Sequence, residues 1–387
     1  MVALICLGMT FGAPWIAIVG LTSIAQEMGG ARSVPALAGS LVWLGSAVGG
    51  IVMGPLAERF GIRATVIGGT FAVAIGLFIS TGGEAWHLYL GHGLFIGLLG
   101  TAGLNAPLYI YVSRWFDRRR GSALALISSG GYIAGFVWPT FFERGIAMAG
   151  WRWTMMVYAG VVIAVVVPLA LTVFRKPPET PPPPSTATAG GRPMIFGWPP
   201  NVVFALIAGA SFLCCVTMSM PQGHLVAFCS DLGISPTVGA AMLSMLLGAG
   251  FVSRQAWGWV SDKIGGLRTA LLSSLMQGTA MTGFLFAQDQ LGMFTVSLAF
   301  GIGFSALIPA YVLAVRELFP ASEAPWRVPI LLFMTGSGMA TGGWLAGYLY
   351  DMHGYYGPAF AVGVAFNVAN LLFLAMLVLR QRIAAAA

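Results

Sequence analysis

Twelve long apolar segments follow one another along this chain of 387 residues, and this pattern constrains the fold more than any other feature. Each segment has close to the roughly 20 apolar residues that an α-helix needs to cross a bilayer. The segments, called spans 1 to 12 below, cover residues 2–27, 36–57, 63–82, 87–115, 120–147, 151–174, 201–229, 236–260, 267–286, 290–317, 326–350 and 356–380. Because backbone groups in lipid must bond within their own segment, the sequence predicts an all-α membrane protein with twelve transmembrane helices.

The composition excludes the main soluble classes of protein. Only 8% of the residues are charged and 58% are hydrophobic, whereas a soluble domain carries roughly 25% charged residues. A soluble enzyme and a nucleic-acid-binding protein are therefore excluded, although the net charge is +7. The four cysteines have no metal-ligand spacing, and no catalytic motif stands out, so we expect no cofactor, no metal site and no enzymatic activity.

A proline-rich segment divides the twelve spans into two groups of six. Residues 175–200 contain Pro181–Pro184 and a stretch rich in Ser, Thr, Ala and Gly, which is typical of a solvated linker. We therefore predict an N-terminal six-helix bundle over residues 1–174 and a C-terminal six-helix bundle over residues 201–387.

The two halves carry related motifs at corresponding places. Residues 54–63 (GPLAERFGIR) follow span 2, and residues 258–268 (GWVSDKIGGLR) follow span 8. A proline followed seven positions later by an arginine ends both span 4 and span 10. These motifs indicate a duplicated six-helix unit, and such repeats place a substrate site between the halves, near the bilayer midplane.

Lys and Arg are distributed very unequally between the two sides of the membrane. With both termini inside, fifteen of the nineteen lie in inner loops and tails, whereas Arg32, Arg144 and Arg152 lie outside. This positive-inside pattern predicts cytoplasmic termini. Span 1 has no basic region before it and no cleavage site after it, so we interpret it as a transmembrane helix rather than a signal peptide.

Several of these motifs resemble those of a known transporter family. The GPLAERFGIR loop and its copy after span 8 resemble the signature loop of the major facilitator superfamily. Residues 114–131 (RWFDRRRGSALALISSGG) and 150–154 (GWRWT) are similar to segments of the monocarboxylate-transporter branch, and residues 224–235 (HLVAFCSDLGIS) resemble bacterial relatives that take up organic anions. The resemblance covers nearly the whole chain and implies a multi-pass secondary transporter in the inner membrane of a bacterium.

Two positions depart from the pattern of the mammalian members of that branch. Span 1 has no lysine between Gly8 and Gln26, where those members carry one. Gly250 stands where they carry an aspartate, one turn before an arginine in span 8. A coupling scheme that depends on that lysine and that aspartate is therefore not expected here.

Arg254 is the most informative single residue because its charge lies within a span. If span 8 runs from Pro236 to Ser261, Arg254 lies about 10 Å from its inner end. A charge at such depth costs at least about 2.5–3.5 kcal/mol and needs a polar cavity or an anion. A guanidinium matches a carboxylate bidentately, so we predict that Arg254 binds the substrate carboxylate, in agreement with the arginine of the resembling family. The alternatives are a side chain that snorkels to the inner interface and one that pairs with backbone carbonyls.

Five uncharged side chains are further candidates for the substrate site. His224 in span 7 could bind the substrate or take up a proton near about pH 6.5. Asn105 and Tyr109 are one turn apart in span 4 and share a face. Tyr311 in span 10 and Trp15 in span 1 complete the predicted set. The alternatives are a structural histidine, and aromatic side chains that pack in the core or at the membrane interface.

Two ion pairs are predicted at the inner face. Glu58 and Asp262 occupy equivalent places in the two repeated loops, and Arg114 and Arg316 end spans 4 and 10. We expect the pairs Glu58–Arg114 and Asp262–Arg316 to form and to bias which side of the protein is open. Static anchoring of the helix ends is the alternative.

Together these features predict a secondary transporter of small monocarboxylates, such as lactate or pyruvate, that works by rocker-switch alternating access. No nucleotide-binding loop is present, so a gradient must drive transport. The resemblance favours proton symport, but no acidic residue lies in the middle of a span, so His224 or the substrate acid could carry the proton.

Other substrates are the alternatives to a monocarboxylate. Transport or exchange of another organic anion, such as oxalate or formate, is the main one, and drug export is less favoured. The expected partners are the organic anion, the proton and the lipid bilayer, with no nucleic acid, and the protein is expected to work as a monomer.

Overall fold

The computed structural model describes residues 1–115, 126–175 and 194–386. Its helices are α1 (Val2–Thr10), α2 (Ala13–Val19), α3 (Leu21–Glu27), α4 (Ser33–Phe60), α5 (Ile62–Ser80), α6 (Ala85–Tyr89), α7 (Ala102–Trp115), α8 (Gly130–Val173), α9 (Pro200–Asp231), α10 (Pro236–Ile264), α11 (Gly266–Gly283), α12 (Gln290–Phe304), α13 (Leu307–Leu318), α14 (Ala324–His353) and α15 (Gly357–Ala386). A π-helix (Leu90–Thr101) joins α6 to α7, and a 3₁₀ turn (Ala321–Glu323) precedes α14. The β-type pairing within these residues is a single bridge between Ile195 and Trp198.

Ten helical stretches of the described chain are long and apolar enough to cross a membrane. One of them, Leu126–Val173, contains two spans, because α8 is broken at Gly150 (φ 80°, ψ 165°). The 18-residue helix α11 supplies one more. The predicted architecture of twelve transmembrane helices is therefore confirmed. Residues 116–125, which include the first six residues of predicted span 5, and residues 176–193 of the predicted linker lie outside the described residues, so the linker stays a prediction.

Span 1 is not one continuous helix. It consists of α1, α2 and α3, and the first break lies beside Gly12 and Pro14. A side chain at Gly12 would meet the Tyr158 hydroxyl, which donates to the carbonyl oxygen of Met9 at 2.5 Å. Pro14 cannot continue the backbone ladder because it has no N–H group. This break lets the next turn, with Trp15, face the centre of the molecule.

The two repeated loops have the same backbone geometry. Helix α4 ends at Gly61 (φ 83°, ψ 157°), and α10 ends at Gly265 (φ 80°, ψ 168°). Glycine adopts such positive φ angles without steric cost, and in both loops it leads straight into the next helix. The repeat seen in the sequence is therefore also a repeat of backbone structure.

The two halves meet along two seams. In the first seam α4 packs against α14, and a side-chain carbon at Gly347 would lie 2.9 Å from Ala36 Cβ. In the second seam α8 packs against α10, where Leu247 fills the space beside Gly135. Small residues allow such close approach of membrane helices, and the space left between the seams holds the cavity described next.

Candidate functional site

A cavity of about 1480 Å³ lies between the two halves, and both halves line it. We call the side at which α4 and α10 end the linker face, because Arg63 there donates to the carbonyl oxygen of Phe174, just before the linker. The far face is the opposite side, where α4 begins at Ser33. The lining includes Gly54 and Ser261, near the linker-face ends of α4 and α10.

Arg254 lines this cavity and stands deeper in its helix than the sequence suggested. Helix α10 continues to Ile264, so Arg254 is about 15 Å from the end of the helix rather than about 10 Å. Its guanidinium carbon lies 5.2 Å from the ring centre of Tyr132, which belongs to the other half. Within the described residues no carboxylate lies within 4.0 Å of Arg254. The guanidinium therefore faces the cavity with an aromatic neighbour and without a counter-ion from that part of the chain.

Tyr132 occupies the space that a side chain at Gly250 would need. A carbon added there would lie 3.0 and 3.1 Å from two carbons of the Tyr132 ring. The same ring stacks on Phe304 at a centroid distance of 5.9 Å, so it is held between the two halves. An aromatic ring therefore stands beside Gly250 and contacts Arg254 without neutralising it.

Asn105 and Tyr109 line the cavity from α7, as their shared helical face predicts. Tyr109 lies close enough to Arg254 and Ser128 for electrostatic interaction. The amide oxygen of Asn105 and the hydroxyl of Thr101, one turn earlier, are buried and have no hydrogen-bond partner in the described chain. Trp15 also lines the cavity. Unpaired buried polar atoms are costly, so this face is suited to a ligand that carries hydrogen-bonding groups.

His224 borders the cavity from α9 and is only 1% exposed. Its Nε2 lies 2.8 Å from the carbonyl oxygen of Gly343, and its Nδ1 lies 2.9 Å from the hydroxyl of Tyr356. The histidine is thus fully hydrogen-bonded, as the structural alternative expected, and it also borders the candidate site.

Of the six residues predicted to bind the substrate, Tyr311 is the one that does not line the cavity. Its side chain is fully buried in the C-terminal half, and its hydroxyl donates to the side-chain oxygen of Asn370 at 2.6 Å. Asn370 in turn donates to Ser274 at 2.5 Å. Sequence alone could not exclude Tyr311, because its partners come from α11 and α15, far away in the chain.

Only one of the two predicted ion pairs is formed. Arg114 donates to Glu58 at 2.6 Å, whereas Asp262 and Arg316 do not pair with each other. In the second half Glu317 instead accepts from the backbone N–H of Gly266 at 2.9 Å. Arg316 is exposed and lines the mouth of the cavity. The expected symmetry of the two gating pairs therefore does not hold in this structure.

A cluster of charges that the sequence did not single out closes the far face. Arg32 donates to both oxygens of Asp231 at 2.6 and 2.5 Å, and its guanidinium lies 3.7 Å from the ring centre of Tyr350. Asp351 accepts from the backbone N–H groups of Arg32 and Ser33 at 2.8 and 2.9 Å. Arg32 belongs to the N-terminal half, whereas both aspartates belong to the C-terminal half. In the sequence, the cluster is indicated only by two aspartates that follow spans 7 and 11 and by an arginine that precedes span 2.

Arg327 is a second charge whose place differs from the expected one. The sequence placed it at the edge of span 11, but its side chain is fully buried. It pairs with Glu323 at 2.6 Å, bonds Asn201 at 3.1 Å, and lies 4.1 Å from the ring centre of Phe319. The charge of Arg327 is therefore paired with a carboxylate inside the C-terminal half. Within the described residues no group of three or more His, Cys, Asp or Glu side chains is arranged to hold a metal ion.

Comparisons with known proteins agree with this architecture. The family model of the Major Facilitator Superfamily matches residues 1–298 and 206–386. The chain is 27% identical over 326 residues to monocarboxylate transporter 13 of Bos taurus, which covers 81% of this chain and 73% of that protein. It is 25% identical over 297 residues to the MFS transporter asaE of Aspergillus flavus, which covers 76% of this chain and 65% of that protein.

Among solved structures, the chain is similar in fold to a bacterial homolog of the human lysosomal transporter Spinster, crystallised in an inward-facing and occupied conformation. The TM-score is 0.73, with 16% sequence identity and coverage of 98% of this chain and 96% of that one. At this identity the likeness concerns the fold alone.

Proposed function

This chain belongs to the Major Facilitator Superfamily of membrane transporters, and on that premise we propose that it carries small monocarboxylates, such as lactate or pyruvate, by rocker-switch alternating access. The observation that carries the proposal is Arg254, a cavity-lining cation without a carboxylate partner among the described residues. A buried charge of this kind requires a partner, and an anionic substrate supplies one. The kinship with monocarboxylate transporter 13 supports the same substrate class.

The neighbours of Arg254 suit a small acid with a polar group next to its carboxylate. The guanidinium would hold both carboxylate oxygens in a fork, since five N–H donors are available in fixed geometry. Tyr109 would donate a further hydrogen bond, and Asn105 would accept from or donate to the hydroxyl or keto group of the substrate. Tyr132 would cover the apolar side of the substrate while it contacts the guanidinium.

The cavity also argues against some other substrates. None of the described residues that line it is acidic, which disfavours a cationic drug as the cargo. Arg327 is unsuited to bind a second carboxylate, because its side chain is buried away from the cavity. Arg316 does line the mouth of the cavity, and it is the observation that favours an oxalate-like dicarboxylate as the second candidate.

We place the protein in a bacterial inner membrane with both termini in the cytoplasm and with proton symport as its driving reaction. The linker face is then cytoplasmic, and the arrangement described above is inward-facing. The distribution of Lys and Arg supports this orientation. As no soluble partner is needed for such a cycle, we propose that the monomer is the functional unit.

Uptake into liposomes tests this proposal. Purified protein would be reconstituted, and the uptake of labelled lactate, pyruvate and oxalate would be measured with and without an inwardly directed proton gradient. We expect gradient-stimulated lactate or pyruvate uptake that Arg254→Ala abolishes and that Arg268→Ala, an exposed arginine in the first turn of α11, leaves intact. Full uptake by the Arg254→Ala variant would contradict the proposed site, and uptake of oxalate alone would favour the second candidate.

A further inference from the structure

A chain of polar contacts runs from the cavity to the far face. It begins at His224, which borders the cavity, and continues to the Tyr356 hydroxyl, 2.9 Å from Nδ1. The guanidinium carbon of Arg32 lies 5.3 Å from the centre of the Tyr356 ring, and its charge acts on that hydroxyl. Arg32 also forms the ion pair with Asp231 that joins the two halves. The contacts therefore connect the candidate site with the residue that closes the far face.

The positions of the hydrogen atoms in this chain follow from the groups present. A carbonyl oxygen only accepts, so Nε2 of His224 must donate to Gly343. The phenol of Tyr356 carries its proton at neutral pH and can donate it to Nδ1. In this closed arrangement the imidazole is neutral, and Nδ1 is occupied as an acceptor. A second proton at Nδ1 would displace the Tyr356 hydroxyl from its role as donor to the ring.

We propose that His224, Tyr356 and Arg32 couple proton binding to the far-face gate, so that a proton occupies His224 Nδ1 only while the gate is open. Closing the gate reforms the Tyr356–His224 hydrogen bond and releases the proton into the cavity. There water or the carboxylate of a bound substrate accepts it. This inference rests on the proposed alternating access and names the group that carries the proton. Among the described side chains that line the cavity, His224 is the histidine, the residue type whose ordinary pKa lies near neutral pH.

The charges around His224 also disfavour a protonated imidazole while the far face is closed. An imidazolium would be buried beside the positive Arg32, and its Nδ1–H would point at a hydroxyl oxygen on which Arg32 already acts. Asp351 attracts a positive His224, but both of its oxygens already accept from backbone N–H groups. Asp231 is engaged with Arg32, and Tyr350 lies beneath the guanidinium.

Arg32 itself does not supply the pH sensitivity. Burial alone would lower the pKa of Arg32, but its hydrogen bond to Asp231 and the neighbouring Tyr356 raise it above its usual range. The guanidinium therefore stays charged at every physiological pH, and the ion pair with Asp231 is not lost by deprotonation of Arg32. The titrating member of the chain is His224.

Spin-label distances across the far face test the proposal without any substrate. Labels at Gln26→Cys and Met352→Cys would report the separation of the halves, since both positions are exposed and the four native cysteines are buried. Between about pH 8 and about pH 5.5, we expect the ratio of open to closed far faces to rise roughly tenfold. His224→Gln should abolish this rise, and Tyr356→Phe should reduce it to less than about threefold, because the hydroxyl that favours the neutral ring is gone.

Tyr355→Phe is the matched control, because it removes the hydroxyl of the adjacent, 60% exposed tyrosine. It should behave like the parent protein. The Tyr356→Phe ring keeps its contacts with Phe228 and Phe360, so the variant is expected to fold, which thermal unfolding would verify. A parent protein whose distances ignore pH, or a Tyr356→Phe variant that responds fully, would overturn the proposal. Stabilisation by carboxylates tests Arg254 separately, so a failure there would contradict the proposed function and leave this result standing.

Discussion

The far face and the linker face hold the two halves of this transporter in different ways. At the far face, Arg32 of one half pairs with Asp231 of the other, and the exposed fractions of the two side chains are 12% and 29%. At the linker face, Arg114 pairs with Glu58 of the same half, with exposed fractions of 34% and 57%. Outside residues 116–125 and 176–193, the hydrogen bonds and ion pairs between the halves lie at the far face or near the middle of the molecule.

This difference indicates which contacts determine whether the far face is open or closed. A contact that stays within one half is present in every state of a rocking transporter, so it cannot favour one state over another. A contact that crosses the halves must break when that face opens. The far-face cluster and the seam between α4 and α14 are therefore expected to hold the far face closed, whereas the Glu58–Arg114 pair is suited to anchor two helices of one half.

The largest change in the ratio of open to closed far faces should come from a bulky side chain placed between α4 and α14. At Gly347 an added side-chain carbon would lie 2.9 Å from Ala36 Cβ and 3.0 Å from Ser33 Cα. Overpacking of this kind costs about 1–3 kcal/mol, so Gly347→Leu should move most molecules to a far-face-open state, as measured by spin-label distances. Gly68→Leu is the control, since nothing lies within 4 Å of a carbon added there. Unchanged distances in Gly347→Leu would mean that this seam does not hold the far face shut.

Removal of the crossing ion pair should have the next largest effect. Asp231→Asn leaves Arg32 without its bidentate partner in a site that is largely shielded from water. Hydrogen bonds to charged groups contribute about 1.5–3 kcal/mol, so the open far face should gain roughly tenfold or more in population. Glu27→Gln, which breaks the Arg152–Glu27 pair within one half, should leave the distances unchanged. If both substitutions changed the spin-label distances equally, ion pairs between the halves would matter no more for closure than ion pairs within one half.

A smaller effect is expected at Asp351. Its carboxylate accepts from the backbone N–H groups of Arg32 and Ser33, and an asparagine retains only one accepting oxygen. Asp351→Asn should therefore speed hydrogen exchange at these two amides by a factor of several, with a modest shift toward the open far face. Exchange that is as slow as in the parent would show that Asp351 does not help to close this face.

The smallest effect is expected at the linker face. The Glu58–Arg114 pair is largely exposed, and exposed ion pairs contribute about 0–1 kcal/mol. Glu58→Gln should thus leave the spin-label distances unchanged and lower the thermal midpoint by no more than a few degrees. A conformational shift as large as that of Asp231→Asn would restore the gating role that the sequence suggested for this pair.

The parts of the structure that could be predicted from the sequence are those with a long or a local sequence pattern. The twelve apolar segments predicted the spans, and the repeated GPLAERFG and GWVSDKIG motifs predicted two loops that turn out to share one backbone geometry. The charge of Arg254 within a span led directly to the cavity. Asn105 and Tyr109 followed from helical periodicity, because one turn of helix places them on one face. Their roles in binding stay predictions.

The remainder depended on contacts between distant segments. Nothing local to Tyr311 indicates that Asn370 binds its hydroxyl, and nothing local to Arg327 indicates that it is fully buried. The far-face cluster joins residues that are about 200 and 320 positions apart, and single-sequence patterns carry no information about such pairing. Asp262 and Arg316 match the first half in sequence, but the helices of the second half place them apart.

The most direct test of the central claim compares an acid with its uncharged amide. Affinities for lactate and lactamide would be measured by calorimetry in the parent protein, in Arg254→Gln and in Arg316→Gln, which changes the second arginine among the described cavity-lining residues. If Arg254 binds the carboxylate, the parent and Arg316→Gln should prefer lactate by about 10- to 100-fold, as expected for charge-assisted hydrogen bonds, and Arg254→Gln should bind both ligands equally. An Arg254→Gln variant that keeps the preference for lactate would contradict the account.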